Sequence, residues 1–203
     1  MIMFQNDYVE GAHPAVLKKL VDTNMEQSVG YGEDPYCEKA RARIRETIGR
    51  EDADVHFLVG GTQTNLTVIS AALRPHQGAL CAETGHIHVH ETGSVEACGH
   101  KVLAMPEQEG KITAKQVNKA YESHWTDGAR EHMVQPKLVY ISHPTELGTL
   151  YTKQELMDLR NVCDACGLYL FLDGARLAYG LAADGTGVTL YDLAGLTDAW
   201  YIW

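Results

Sequence analysis

The sequence contains no long apolar run and no cluster of basic residues. No stretch approaches the roughly 20 apolar residues of a membrane-spanning helix, so we expect no membrane segment. The net charge is −10 and the 17 Lys and Arg residues form no stripe, which argues against nucleic acid as a partner. The first residues, MIMFQNDYVEG, reach acidic side chains too early for a signal peptide, so we expect a cytoplasmic protein.

The cysteines are few, scattered and odd in number. Five cysteines without regular spacing indicate reduced thiols and not a disulfide framework. Cys163 and Cys166 form a C-x-x-C pair, but the surrounding letters place the pair in the last turn of a helix, just before Gly167. Redox-active C-x-x-C pairs lie at the N-terminus of a helix, so we interpret this pair as structural.

Short apolar segments alternate with amphipathic ones along the whole chain. Since 45% of the residues are hydrophobic, the chain can bury a core. The alternation predicts an α/β fold with a mostly parallel sheet and helices on both faces. Strands are predicted at 55–61, 78–83, 100–106, 137–144, 168–176 and 199–203, and helices at 14–24, 34–49, 62–73, 90–99, 113–125, 152–167 and 189–196.

The stretch LVGGTQTNL, residues 58–66, has the composition of an anion site. A strand ends, two glycines turn, and a helix begins at a threonine. The free amide groups of a helix N-terminus suit a phosphate. A plain strand–helix turn is the alternative, because the stretch is neither a Walker loop nor a G-x-G-x-x-G motif.

Asp173 follows five apolar residues, at the mouth of a predicted buried strand. A carboxylate there needs a partner, because burying an unpaired charge is costly. The partner is either Arg176, in a structural ion pair, or a protonated nitrogen heterocycle.

Three histidines alternate at positions 86, 88 and 90, and a strand would place them on one face. With Glu91 they imitate a metal site, but the spacing matches no zinc motif, so we predict no metal. A histidine at a strand end can instead stack on a flat cofactor.

A phosphate turn, an aspartate for a heterocycle and a stacking histidine together indicate pyridoxal 5′-phosphate. That cofactor has a phosphate, an aromatic ring and a ring nitrogen. A simple phosphate-binding α/β module is the alternative. In that case the presence of Asp173 and His86 at these positions would be a coincidence.

The chain resembles the threonine aldolase and β-eliminating lyase family of pyridoxal-phosphate enzymes, which have the aspartate aminotransferase fold. The motifs that carry the resemblance are FQNDYVEGAHP, YGEDP, GGTQTN, GHIHVHETG, PTELGTLYT, FLDGARL and LTDAWYI, all in the family's order and spacing. The resemblance covers the chain from residue 4 onward.

The resemblance implies roles for the cofactor-binding residues. Gly61 and Thr62 match the phosphate turn, and Asp173 matches the aspartate that pairs with the ring nitrogen. His86 matches the ring-stacking histidine, which the family implicates in catalysis at the substrate's β-hydroxyl group. The implied reaction is cleavage of a β-hydroxy amino acid into glycine and an aldehyde.

The resemblance also implies substrate contacts. Arg176 and Asn6 match positions that bind the substrate carboxylate. At the position of Asn6 the family often has Ser. Tyr31 matches an active-site tyrosine. Many relatives carry a His where this chain has Glu146, so the reaction at the β-carbon stays open and a related β-elimination is an alternative.

The family continues past TD-aromatic-YI into GGTK, whose lysine attaches to the cofactor. This sequence has Trp203 in place of the first glycine, and its last lysine is Lys153. We therefore expect residues 1–203 to form the N-terminal arm and most of the cofactor-binding large domain, without the small C-terminal domain. We expect a homo-oligomer when intact. Without that lysine we expect residues 1–203 alone to be inactive, and a catalytically inactive remnant of such an enzyme is the alternative function.

Overall fold

The computed structural model describes residue 6 and residues 8–203 of the chain. The chain divides into two compact units, residues 1–43 and residues 44–203. In the first unit, helix α1 (Pro14–Thr23) begins at a proline. Helix α2 (Pro35–Ile48) crosses the boundary, and Asp34 Oδ1 caps it by accepting the N–H groups of Tyr36 and Cys37 at 2.9 Å each.

The second unit contains a five-stranded, fully parallel sheet, as predicted. Its strands are β1 (Gln77–Ala82), β2 (Lys101–Met105), β3 (Gln135–Ser142), β4 (Tyr169–Asp173) and β5 (Ala199–Trp200). They lie in the order β2-β1-β3-β4-β5. The chain thus runs from β1 to one edge and then returns to build the other side, so the strand order reverses between β1 and β3. Ligands of such sheets bind outside the carboxyl ends of the strands at this reversal.

Seven α-helices follow in the described part of this unit. They are α3 (Gly61–Ala72), α4 (His86–Val89), α5 (Ser94–Ala97), α6 (Ala114–Thr126), α7 (Lys153–Cys166), α8 (Leu177–Ala182) and α9 (Leu190–Leu196). Capping boxes start three of them, with Thr113, Thr152 and Thr189 as the N-caps. Each box satisfies amide groups that a helix N-terminus leaves without intrahelical acceptors.

The sheet is buried on both faces, which explains why its strands are continuously apolar. Successive residues of β1 alternate between two core clusters, with Ala79 and Cys81 in one and Leu80 and Ala82 in the other. Helices α3, α4 and α5 contribute to the first cluster, and α6, α7, α8 and α9 contribute to the second. The predicted placement of helices on both faces is therefore confirmed.

The structure differs from the prediction in several segments. The prediction of a strand at 55–61 is wrong: no strand forms there, and Leu58 and Val59 are 41% and 91% exposed. An apolar run becomes a strand only where a neighbouring strand pairs with it. The last strand covers only Ala199–Trp200, and helix α8 was missed because its glycine-containing sequence has low helix propensity.

The C-x-x-C pair lies in the last turn of α7, as predicted, and Gly167 ends the helix with a φ of 62°. Cys163 is completely buried and free, and burial raises the pKa of its thiol to about 12. A thiol that stays protonated is a poor nucleophile, which agrees with the structural interpretation.

None of the helices in the described residues combines the length and the apolar character needed to cross a bilayer.

The core of α7 gives a stability prediction. Leu156 is completely buried and Met157, the next residue, is 39% exposed. We expect Leu156→Ala to lower the free energy of unfolding by about 2–5 kcal/mol, since it removes buried methyl groups and leaves a cavity. Met157→Ala is the matched control and should change it by less than about 1 kcal/mol. Urea unfolding followed by circular dichroism checks this, and equal losses in the two variants would contradict the packing described.

Candidate active site

Three polar segments meet at the carboxyl ends of β1, β3 and β4. His86 follows β1, Glu146 follows β3, and Asp173 ends β4. The backbone N–H of His86 donates to Glu146 Oε1 at 2.8 Å, so the segments after β1 and β3 touch at the reversal of strand order. The sheet topology therefore brings together side chains that lie far apart in the sequence.

Asp173 is 3% exposed, and its carboxylate receives several hydrogen bonds. Oδ2 accepts from the Tyr140 hydroxyl and from Asn65 Nδ2, the latter at 3.1 Å, and Oδ1 accepts from the backbone N–H of Ala175 at 3.0 Å. Burial, followed by the charge of Asp173, raises the pKa of Tyr140 far above its ordinary value, so this hydroxyl remains a donor. These donors fix the carboxylate as an acceptor at the strand end.

Asn65 links Asp173 to a second buried carboxylate. Its side chain is completely buried, and Nδ2 donates to Glu91 Oε1 at 2.7 Å as well as to Asp173. Both neighbours are carboxylates, which only accept when ionised, so the NH₂ group of Asn65 must point between them.

His86 forms a hydrogen bond with Glu91. Nδ1 of the ring lies 2.7 Å from Glu91 Oε1, and Ser94 Oγ donates to Glu91 Oε2 at 2.8 Å. The hydrogen bond that His86 makes to Glu91 raises the pKa of His86, against a smaller opposing effect of burial. Burial would raise the pKa of Glu91, but bonds from His86, Asn65 and Ser94 outweigh it and lower that pKa.

The histidine segment is helical and not extended. Residues 86–89 form α4, so the one-face arrangement that a strand would give to positions 86, 88 and 90 is not realised. Pairing of Glu91 with His86 and Asn65 leaves this carboxylate engaged inside the protein. Among the described residues, no group of three His, Cys, Asp or Glu side chains could hold a metal ion.

The predicted phosphate turn lies at the N-terminus of α3, and the helix begins at Gly61, one residue before the predicted threonine. Its N-cap, Gly60, provides no side-chain hydrogen bond, and the first amide groups of a helix lack intrahelical acceptors. Asn65 is one turn further along the same helix, so this N-terminus and Asp173 belong to one region. A Cβ atom at Gly61 would lie 3.1 Å from the Tyr201 hydroxyl oxygen, so Gly61 leaves space beside that group.

Glu146 is tied to two neighbouring elements. Besides the N–H of His86, its Oε1 accepts from Ser142 Oγ at 2.6 Å, and Ser142 lies beside Asp173 in the paired strands β3 and β4. Glu146 therefore lies in one polar cluster with His86 and Asp173. A catalytic role for Glu146, as predicted, requires this placement.

The other predicted residues lie in two places. Arg176 is exposed and precedes α8, three residues after Asp173. Asn6 and Tyr31 belong to the first unit, where Asn6 Oδ1 accepts the N–H of Tyr8 at 3.2 Å and Tyr31 is fully exposed with a φ of 63°. The substrate contacts of these three residues remain predictions.

Sequence reasoning missed part of the cluster. Asn65, Tyr140, Ser142 and Tyr201 were not singled out, and Glu91 was considered only as a metal ligand. The available signal was polar side chains at the ends of apolar strands, as in KLVYIS, because a buried polar group needs a partner.

Comparisons with known proteins give related sequences and structures. The sequence model of the beta-eliminating lyases matches residues 4–202. The low specificity L-threonine aldolase of Pseudomonas aeruginosa is 27% identical over 185 residues, which cover 88% of this chain and 51% of that protein. The chain thus spans about half the length of the curated relatives it matches.

Two solved structures extend the comparison. A threonine aldolase from Leishmania major is 51% identical, with a TM-score of 0.93, over 97% of this chain and 56% of that chain. A PLP-bound C–S lyase from Staphylococcus hominis is 14% identical, with a TM-score of 0.62, over 93% of this chain and 46% of that chain. At this lower identity the similarity shows the shared fold alone.

The amide between the two carboxylates gives a second prediction. Asn65→Asp would replace a shared donor with a third buried negative charge, and we expect a loss of about 3 kcal/mol or more in the free energy of unfolding at about pH 7. Like charges raise the pKa of the new carboxyl group, so acidification to about pH 5.5 should recover part of the loss. Glu91 keeps its hydrogen bonds from His86 and Ser94 in this variant.

The control is Asn161→Asp, which adds the same charge at an exposed position of α7. Urea unfolding at both pH values measures the two variants. A similar, pH-independent loss in both would show that Asn65 does not separate two ionised carboxylates.

Proposed function

The chain belongs to the beta-eliminating lyase family, and from this premise we propose that it binds pyridoxal 5′-phosphate and cleaves a β-hydroxy amino acid of the threonine type into glycine and an aldehyde. The observation that carries the proposal is Asp173, a buried carboxylate fixed by Tyr140, Asn65 and Ala175 at the reversal of strand order. Such an acceptor suits a protonated ring nitrogen better than a solvated cation.

The chain's own groups fit the cofactor at two further points. The uncapped N-terminus of α3, with Gly61 and Thr62 in its first turn, offers amide donors to a phosphate. His86, with 38% of its side chain exposed, presents a flat ring beside the cluster. When bound, pyridoxal phosphate supplies an electron sink for the pair released on breaking the Cα–Cβ bond, and Asp173 keeps its ring nitrogen protonated.

We assign the proton chemistry at the substrate to His86 and Glu146. Nδ1 of His86 is engaged by Glu91, so Nε2 is the nitrogen available to take the proton of a β-hydroxyl group. Glu146, joined to the backbone of His86, lies close enough to influence the same group.

The remaining roles concern substrate binding and assembly. We propose that Arg176 and Asn6 bind the substrate carboxylate and that Tyr31 contributes to the same site. We also propose that residues 1–203 supply the N-terminal arm and most of a cofactor-binding domain, and that the working protein is a cytoplasmic homo-oligomer.

One observation favours a second candidate function. The resemblance aligns Glu146 with a histidine of many relatives, and in the structure Glu146 accepts the backbone N–H of His86. A carboxylate there changes the charge next to the β-carbon of the substrate, so β-elimination by the same cofactor is the alternative.

Cofactor binding tests the central role of Asp173. We expect residues 1–203 to bind pyridoxal phosphate, detected by the cofactor's induced circular dichroism and by fluorescence quenching. Asp173→Asn should weaken binding about thirtyfold or more, because it removes one partner of a buried charge pair. Asp184→Asn, an exposed aspartate in the loop after α8, is the control and should bind like the wild type. Equal affinities in all three proteins would refute the role of Asp173.

The reaction is tested on the complete polypeptide that the gene encodes. We expect L-threonine to yield glycine and acetaldehyde, and His86→Asn to reduce turnover about 100-fold or more, as loss of a positioned proton acceptor does. Release of ammonia and a keto acid from a β-substituted amino acid, with no acetaldehyde from threonine, would favour the second candidate.

A further inference from the structure

We propose that Glu91 is a positioning residue that holds His86 with its proton on Nδ1 and leaves Nε2 to face the substrate. This proposal rests on the function proposed above, and it assigns to Glu91 a part in the reaction without contact with substrate or cofactor. Asn65 extends the same arrangement to Asp173, so the two ends of the site are held by one side chain.

The hydrogen bonds of Glu91 leave it little freedom. Its side chain is completely covered, whereas 38% of the His86 side chain is exposed. Oε1 meets His86 Nδ1 and Asn65 Nδ2, each at 2.7 Å, and Oε2 accepts from Ser94 Oγ at 2.8 Å. A carboxylate with three donors on two oxygens is fixed in position and orientation.

This geometry determines which nitrogen of His86 carries the proton. An ionised carboxylate can only accept, so Nδ1 must donate, and the neutral ring then has its lone pair on Nε2. A residue that takes a proton from a substrate hydroxyl needs this tautomer. The opposite tautomer would place two acceptors against each other inside the protein.

The charged surroundings of His86 raise its affinity for a proton. Glu91 faces its ring from the segment after α4, Asp173 from β4 and Glu146 from the loop after β3, while the ring of His90 lies 5.5 Å away. All three carboxylates favour the protonated ring, and Glu91 contributes the largest effect on the pKa. Removing the charge of Glu91 should therefore lower the pKa of His86.

Nuclear magnetic resonance of residues 1–203 tests the proposal without cofactor or turnover. The ring nitrogen and carbon shifts of His86 are followed against pH, and His86→Asn identifies its signals among the ten histidines. In the wild type we expect the neutral ring to carry its proton on Nδ1. In Glu91→Gln, which keeps the shape of the side chain, we expect the titration midpoint of His86 to move to lower pH.

The matched control is Glu83→Gln, which removes an exposed carboxylate just after β1. It should leave both the midpoint and the tautomer of His86 as in the wild type. A neutral His86 with its proton on Nε2, or an unchanged midpoint in Glu91→Gln, would overturn the proposal. If Glu91→Gln does not fold, the tautomer of the wild type still decides the question.

The same measurements separate this proposal from the proposed function. If His86 titrates as expected but pyridoxal phosphate does not bind, the function is wrong and the pairing of Glu91 with His86 survives as a property of the fold. If the cofactor binds and His86 has the other tautomer, the positioning role of Glu91 is wrong and the cofactor site stands.

Discussion

The candidate site depends on the burial of two carboxylates, Asp173 and Glu91, which share one amide donor. Neither charge could stay buried without donors, because an unpaired buried carboxylate is costly. The donors include Asn65 from α3, Tyr140 from β3, His86 from α4 and Ser94 from α5. The electrostatic requirement therefore fixes how α3 and α4 sit on the carboxyl edge of the sheet.

The need of each buried carboxylate for its own partners also underlies the different roles that we propose for Asp173 and Glu91. In the proposed function Asp173 receives the cationic ring nitrogen, and in the structure Glu91 faces His86. Under this proposal one carboxylate acts on the cofactor and the other on a catalytic side chain. Asn65 keeps them apart and, one turn from the N-terminus of α3, connects both to the amide groups suited to phosphate.

Local patterns in the sequence predicted much of the fold and part of the site. The parallel sheet followed from alternating apolar strands and capped helices, and Asp173 stood out because a charge follows five apolar residues. Glu91 could not be assigned in this way, because its partners, Asn65 and His86, meet it only after folding. The segment 55–61 shows the opposite error: its apolar letters indicate a strand, but strand formation depends on a neighbour that the sequence does not reveal.

A crystal structure of residues 1–203 grown with pyridoxal phosphate would test the central claim most directly. We predict that the ring nitrogen lies within hydrogen-bonding distance of the Asp173 carboxylate and that the phosphate meets the amide groups of Gly61 and Thr62. A cofactor bound elsewhere, or with its ring nitrogen turned away from Asp173, would contradict the account.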